Sequence, residues 1–391
     1  MEKISYLVGD EKFKQEPFEP FSTEVCQFLN SFSVELTNYK EINHYPDLKS
    51  LSFWCRKRNI IKFKKAETEL NFKIGLGLAF HITPSNIPTN FAYSLIFGLL
   101  SGNSNVIKVP TKKFKQIDII CKILKKLLLK YTFLKGKITI VRYQDNDKFT
   151  SKLSHLCNAR IIWGGDKTIN SIRNHKIQER AVELSFADRY SFCIMDTNKI
   201  FKMGKFEINK LIQKFYNDTY AVDQNACTSP HLVVWLGKKR KELDNKFWKK
   251  LYQLVKHKYN LQPFSSIEKF TDTCKYIITK DNIKSIKNFE NLIHKIEIKN
   301  LKADNHLMRG KWGLFFEFYS KNLNNLKNII NNKYQTLTYY GICKDDLKKL
   351  LLKNNLKGVD RIVPVGQSLD ISLKWDGYNI IDSLTRTIEV R

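Results

Sequence analysis

The sequence predicts an α/β protein of two successive units, the first of them Rossmann-like. Three observations lead there. From Gly75 onward, short apolar runs bounded by glycine or proline alternate with segments long enough to be helices. Those runs place apolar residues at consecutive positions, the pattern of strands buried on both faces of a mostly parallel sheet. A chain of 391 residues with 42% hydrophobic content can fill two or three domains.

Taken in order, residues 22–40 and 46–58 mix apolar and polar positions as surface helices do, with Pro46 suited to a first helical turn. GLGLAFHI then supplies a strand, followed by a proline-punctuated loop and the apolar helix FAYSLIFGLLSG. NVIKV, KITIVRY and ARIIWGG are further strands. Helices over IDIICKILKKLLLKY and 146–156 separate them, and helical DKTINSIRN follows. Residues 1–183 therefore read as N-terminal helices plus a cofactor-binding domain, and 184–365 as a second α/β domain. The second contains the strand RYSFCIMD, the helix KFEINKLIQKFYNDTY, the strand HLVVWLG and a helix over 239–258. Strands KYIIT, HKIEI, GLFFEFYS, YQTLTYY and DRIVPV and the helix DDLKKLLLKNN complete it. Residues 366–391 mix strand-like and helical spacing and read as a small C-terminal arm for pairing subunits.

Composition narrows the function classes. A net charge of +29 ordinarily points to nucleic acid, but the lysines are spread from end to end among Asn and Ile, with no arginine cluster or nucleic-acid module. Such a charge still favours anionic ligands. Eight cysteines without a close pair argue against a metal clip or disulfide framework and for reduced thiols in a cytoplasmic protein. No signal peptide is visible, and the longest apolar run, FAYSLIFGLL, is too short to cross a bilayer.

Chemistry concentrates around YNDTYAVDQNACTSPH, residues 216–231. Cys227 is the candidate nucleophile, because Asn225, Ala226, Thr228, Ser229 and Pro230 suit an open loop better than a core. The competing reading is inert packing, the usual fate of a cysteine. Three other segments stand beside it: GLAFHITPSNIPTN, SGNSNVIKVPTKK and IIWGGDKTINSI, with VELSFAD close behind.

In this order, HITPSNIPTNFAYS, WGGDKTI, ELSFADRYS and DQNACTSPH resemble the acyl-CoA (fatty acyl) reductase, LuxC-like branch of the aldehyde dehydrogenase superfamily. The resemblance covers the chain from about residue 74 to the C-terminus. It implies an aldehyde dehydrogenase-like fold and a reductase that passes an acyl group through a cysteine thioester before releasing an aldehyde. By position, Cys227 matches the nucleophile and Asn86 the asparagine that stabilises the oxyanion together with the Cys227 backbone N–H. Asn86 also reads as a plain turn residue before Pro88. Glu183 matches the glutamate that activates water in oxidising members. Here Leu184, Ser185 and Phe186 follow it in place of a Gly-Gly turn, so its expected part is to shuttle protons or orient Cys227, against the alternative of a surface-paired carboxylate.

The cofactor residues follow the same way. Lys108 matches the lysine that reaches the adenosine ribose, and Gly164, Gly165 and Asp166 match a glycine turn at a helix start that meets the pyrophosphate. Pro84 and Thr111 complete the expected contacts. Where NAD-specific members place a glutamate after that lysine, this chain has Val109, Pro110, Thr111, Lys112 and Lys113, which favours NADPH, with NADH as the alternative. Lys112 and Lys113 also read as ordinary lysine-rich surface. The glutamate that holds the nicotinamide ribose has no clear counterpart: the nearest Phe-Gly-like pair, Trp312-Gly313, is preceded by Gly310. His81 and His231 read as structural. The expected protein is a homo-oligomer taking acyl groups from CoA or an acyl-carrying protein, with no metal. Oxidation of an aldehyde to an acid, or a catalytically silent acyl-transfer scaffold, are the alternatives.

Overall fold

A computed structural model describes residues 4–144, 146–238 and 242–391. They divide into two compact units, Met1–Ala187 with Leu373–Arg391, and Asp188–Ser372.

The first unit begins with a short strand, β1 (Ser5–Val8), and three helices, α1 (Thr23–Thr37), α2 (Pro46–Trp54) and α3 (Lys57–Ala66). Ser22 caps α1 by accepting from the Val25 N–H, and Val25, Phe28, Leu29, Phe32 and Leu36 form its buried stripe. Pro46 occupies the first turn of α2 as expected. Then come β2 (Lys73–Gly75), β3 (Leu78–Ile82), α4 (Asn90–Leu100), β4 (Ser104–Lys108), α5 (Lys115–Lys130) and β5 (Ile138–Arg142). After them follow α6 (Asp147–Leu156), β6 (Ala159–Trp163), α7 (Asp166–Arg173) and β7 (Val182–Phe186). Every residue of α4 is buried, which explains a helix apolar all round.

The sheet order is β1-β5-β4-β3-β6-β7, parallel except for β1. From β3 the chain steps outward through β4 to β5, then returns to the other side of β3 for β6 and β7. The order reverses at β3, so the loops after β3, β4 and β6 border a topological switch point, where open α/β sheets bind ligands.

The second unit contains β8 (Tyr190–Asp196), α8 (Thr197–Lys202), α9 (Lys205–Thr219) and β9 (Pro230–Leu236). A π-helical turn over Asp244–Trp248 leads into α10 (Lys249–Lys258). Residues 239–241 of the helix expected here lie outside the described residues. Next are α11 (Pro263–Thr279), β10 (Ile283–Phe289), β11 (Ile293–Ile298), β12 (Leu314–Ser320), β13 (Tyr334–Tyr340), α12 (Lys344–Lys353) and β14 (Arg361–Pro364). The sheet runs β10-β11-β12-β9-β8-β13-β14, with only β10 antiparallel. Its strands are buried on both faces: Phe192 and Ile194 of β8 pack with Phe316, Tyr334 and Leu337, while Cys193 and Met195 pack with Phe215, Trp235 and Trp248. The segment KYIIT, expected as a strand, is instead the last part of α11. Pro263 starts that helix at its first turn, and the apolar run only continues it.

The C-terminal segment belongs to the first unit. A hairpin of β15 (Lys374–Trp375) and β16 (Tyr378–Asn379) turns at Asp376 and Gly377, both at positive φ. After α13 (Ile380–Ser383), β17 (Thr385–Thr387) pairs antiparallel with β2. The Asn103 side-chain amide donates to the Leu384 carbonyl at 2.9 Å, fixing the segment near the end of α4.

Candidate active site

In the first unit, the residues expected to hold a dinucleotide lie at the carboxyl ends of three adjacent strands. Pro84 and Asn86 follow β3, Lys108 ends β4 with Thr111 and Lys112 beyond it, and Gly164 and Gly165 follow β6. Asn86, Thr111, Lys112, Gly165 and Asp166 are exposed. Lys108 Nζ stands 4.5 Å from the centre of the Tyr143 ring, a cation–π contact.

These residues fit a dinucleotide. Gly165 is the N-cap of α7 and contributes no side-chain cap, so the helix begins on backbone groups. Nothing lies within 4 Å of where a Gly165 Cβ would stand, which leaves room for a phosphate to approach the chain.

Glu183 sits in β7 directly beside Arg160 of β6. Arg160, 3% exposed at its side chain, donates from Nε to the Glu183 carboxylate at 2.9 Å, and Arg173 of α7 donates from Nε at 2.7 Å. The Ser185 hydroxyl adds a third donor at 3.1 Å. Burial alone would raise the carboxyl pKa, but the hydrogen bonds and charges of Arg173 and Arg160 outweigh it, and the net shift is downward. This carboxylate is therefore a weaker proton acceptor than an ordinary glutamate.

Cys227 lies at the amino ends of the second unit's strands, in the turn that enters β9. The Ser229 N–H donates to the Ala226 carbonyl at 2.9 Å, placing Cys227 and Thr228 at the centre of the turn. Cys227 is partly exposed, whereas Cys55, Cys121, Cys157 and Cys193 are buried. Burial pushes the Cys121 and Cys157 thiols up to about 12. All eight cysteines are free, and no three metal-ligating side chains converge among the described residues.

His81 and His231 make structural contacts. His231 Nδ1 donates to the Gly310 carbonyl at 2.8 Å and its ring stacks on Tyr190, while burial lowers its pKa to about 3. His81, fully buried between Ser94 and Asn105, is lowered to about 4. Both rings stay neutral near pH 7. Trp312 and Gly313 have positive φ and pack on the segment before Cys227, with the Trp312 N–H donating to the Asp223 carbonyl at 3.3 Å.

Comparison with known proteins gives the family and the fold. The family model for acyl-CoA reductase (LuxC) matches residues 42–296, more than half the chain. The chain belongs to that family. With membership come reduction of an acyl-CoA to an aldehyde and the superfamily's use of an NAD(P) cofactor. No curated protein matches the sequence. Among solved structures, a point mutant of 1-pyrroline-5-carboxylate dehydrogenase from Thermus thermophilus has a TM-score of 0.64 at 10% identity, covering 94% of this chain and 81% of that one. Aldehyde dehydrogenase 21 of Physcomitrella patens scores 0.62 at 11% identity, covering 93% and 84%. A putative methylmalonate-semialdehyde dehydrogenase of Sinorhizobium meliloti, complexed with NAD, scores 0.57 at 14% identity, covering 93% and 82%. The acyl-CoA reductase thus has the aldehyde dehydrogenase-like fold. No helix among its described residues is long and apolar enough to cross a membrane.

Sequence reasoning did not find Arg160 or Arg173, because the ion pairs join β6 and α7 to β7 only once the strands are aligned. It also missed Ser191 and Gln224, taken up below.

Proposed function

We propose that this acyl-CoA reductase works through an acyl-Cys227 thioester and prefers NADPH. The Cys227 thiolate attacks the thioester carbonyl carbon, the carbon–sulfur bond to CoA breaks, and CoA leaves as the thiolate, which takes a proton from solvent. Asn86 and the Cys227 backbone N–H stabilise the oxyanion in each tetrahedral state. NADPH, when bound, supplies the hydride. The resulting hemithioacetal on Cys227 gives up its hydroxyl proton, its carbon–sulfur bond breaks, and the aldehyde departs while the thiol is restored.

The observation that carries this reading is the setting of Cys227: a partly exposed thiol at the centre of a hydrogen-bonded turn, outside both apolar clusters of its unit. Glu183 supports reduction over hydrolysis, since a carboxylate paired with two guanidiniums is a poor base for activating water. In this reading Glu183 ties β7 to β6 and α7, the elements flanking the Gly164-Gly165 turn, and any proton it moves passes at a lowered pKa. For the cofactor, Lys108, Gly164, Gly165, Asp166 and Pro84 line the switch point. Lys112 beyond Thr111, with no carboxylate between 108 and 113, suits a 2′-phosphate.

The reading extends to a cytoplasmic homo-oligomer that takes its acyl group from CoA or an acyl-carrying protein. An oligomer is supported by α11, which buries Lys269 and Thr273 but exposes Phe264, Ile267, Phe270, Ile277 and Ile278. The deciding experiment incubates the protein with a long-chain acyl-CoA and no cofactor, then measures the mass of the Cys227 peptide. An acyl adduct there, with one CoA released per adduct, is expected; an adduct on another cysteine, or none, overturns the covalent route.

A further inference from the structure

The turn that presents Cys227 is held from two sides by the buried side chains of Ser191 and Gln224. Ser191, fully buried in β8, donates from its hydroxyl to the Cys227 carbonyl at 2.6 Å. The same oxygen accepts the Thr336 N–H at 3.1 Å. Because a backbone N–H can only donate, the hydroxyl proton is committed to the Cys227 carbonyl.

Both ladders flanking β8 are irregular at this point. Pairing with β9 passes from Ser191↔Pro230 to Phe192↔Leu232, and pairing with β13 from Tyr334↔Tyr190 to Leu337↔Phe192. Such breaks re-aim a side chain at the cost of regular pairing, and here the Ser191 hydroxyl meets a Thr336 N–H beside the break.

The second side is Gln224, 1% exposed. Its amide nitrogen donates to the Pro230 and Leu314 carbonyls at 3.3 and 3.4 Å, and its amide oxygen accepts the Gly313 N–H at 2.8 Å. It thereby joins the two ends of the Cys227 loop to the start of β12. Asp223 and Gln224 themselves stand at φ of 55° and 56°, a left-handed conformation that the surrounding bonds must maintain. Gly313 has φ of 92°, and a Cβ there would lie 2.2 Å from the Leu292 carbonyl oxygen, so the acceptor side of the clasp also has one geometry.

We infer that Ser191 and Gln224 are positioning residues that fix the direction of the Cys227 thiol and backbone N–H; this rests on the nucleophile reading above. The peptide before Cys227 is held through the Ala226 carbonyl and the peptide after it through Ser191, so neither plane rotates freely. A nucleophile misplaced by about 1 Å can lose on the order of 100-fold in rate while keeping its reactivity toward a small, undirected reagent.

The test compares two rates at Cys227 by peptide mass: acylation by acyl-CoA, which needs aim, and alkylation by iodoacetamide across pH, which needs only a thiolate. Ser191→Ala and Gln224→Ala are each expected to slow acylation by about 10- to 100-fold. Alkylation and its pH profile should change little, while the thermal midpoint falls by several degrees, because each buried partner left unsatisfied costs about 1–3 kcal/mol. Ser191→Thr, which keeps the donor, should recover most of the acylation rate. Should Ser191→Ala fail to fold, Ser191→Cys replaces it with a weaker donor of similar size and should fall between the alanine variant and the unaltered protein.

Acylation at the unaltered rate in Ser191→Ala and Gln224→Ala overturns the inference. So does a parallel loss of acylation and alkylation, which would mark a purely structural role. If the unaltered protein forms no acyl-Cys227, the nucleophile reading fails first and takes the positioning role with it, a result seen before any substitution is made.

Discussion

Arg160 and Glu183 are cross-strand partners on β6 and β7, and the guanidinium is almost wholly buried where it meets the carboxylate. Arg160 also donates to the Ser154 hydroxyl and to the Ile172 and His175 carbonyls, so the pair joins two strands, two helices and the loop after α7.

Glu183→Gln removes the charge from this group and leaves a buried guanidinium without its counter-ion. Breaking one side of a buried pair costs about 3–5 kcal/mol, and the lower end applies because Arg160 keeps three other acceptors. A thermal midpoint lowered by about 6–12 °C is expected for a unit of this size. The pH dependence has a definite sign. Glu183 has a lowered pKa in the folded protein, so its contribution is fully present above the ordinary glutamate value of about 4.3 and disappears as pH falls through the lower folded value. The gap in midpoint between the two proteins should therefore be constant near neutrality and close in acid. A variant with an unchanged midpoint but abolished turnover would mean that the carboxylate's role is chemical.

Lys112→Glu tests the choice of cofactor. Lys112 is exposed on the loop after β4, so reversing its charge should leave the fold intact. Isothermal titration should show NADPH binding weakened by roughly tenfold, the effect of about 1.4 kcal/mol, with NADH gaining relative to it. An unchanged preference would place recognition of the 2′-phosphate on other residues.

The stripe on α11 makes a separate prediction. Phe264 and Phe270 are 68% and 59% exposed, so neither supports the core of its own unit. For the proposed oligomer, Phe264→Glu combined with Phe270→Glu should lower the mass measured by sedimentation while the circular dichroism spectrum is retained, and a monomeric mass before any substitution would refute the oligomer itself. A full-size oligomer after both substitutions would locate the interface elsewhere.

How legible these features are in the sequence depends on how far apart their parts lie. The two-faced strands β3, β6, β8 and β9 announce themselves because burial on both sides demands unbroken apolar runs such as LAFHI and SFCIMD. Strand β10, IKSIKNF, does not, since it is a largely exposed edge and its lysines mask the pattern. KYIIT misleads because β-branched residues suit strands, whereas here Ile277 and Ile278 lie on the exposed face of a helix whose start is set many residues earlier. The Asp376-Gly377 turn is a local hairpin signal and was available to sequence reasoning. The partners of Glu183 and of the Cys227 turn were not, because Arg160, Ser191 and Thr336 become neighbours only through strand register, and no short-range pattern encodes that.

Asn86 carries the sharpest remaining prediction, because its proposed work is confined to the tetrahedral states. It lies exposed on the loop after β3, and Asn86→Ala should change neither the thermal midpoint nor NADPH affinity. Removing its amide leaves the Cys227 backbone N–H as the proposed sole oxyanion donor, and loss of one such donor typically lowers turnover by about 10²–10³-fold. In the proposed route, acylation and reduction each pass through an oxyanion on the same carbon. Stopped-flow measurement of CoA release and single-turnover oxidation of NADPH by preformed acyl-enzyme should therefore slow together. If only acylation slowed, Asn86 would be contacting the CoA ester rather than the oxyanion. If neither step changed by more than a few-fold, Asn86 would be a turn residue before Pro88 and the oxyanion donor would have to be sought in another loop.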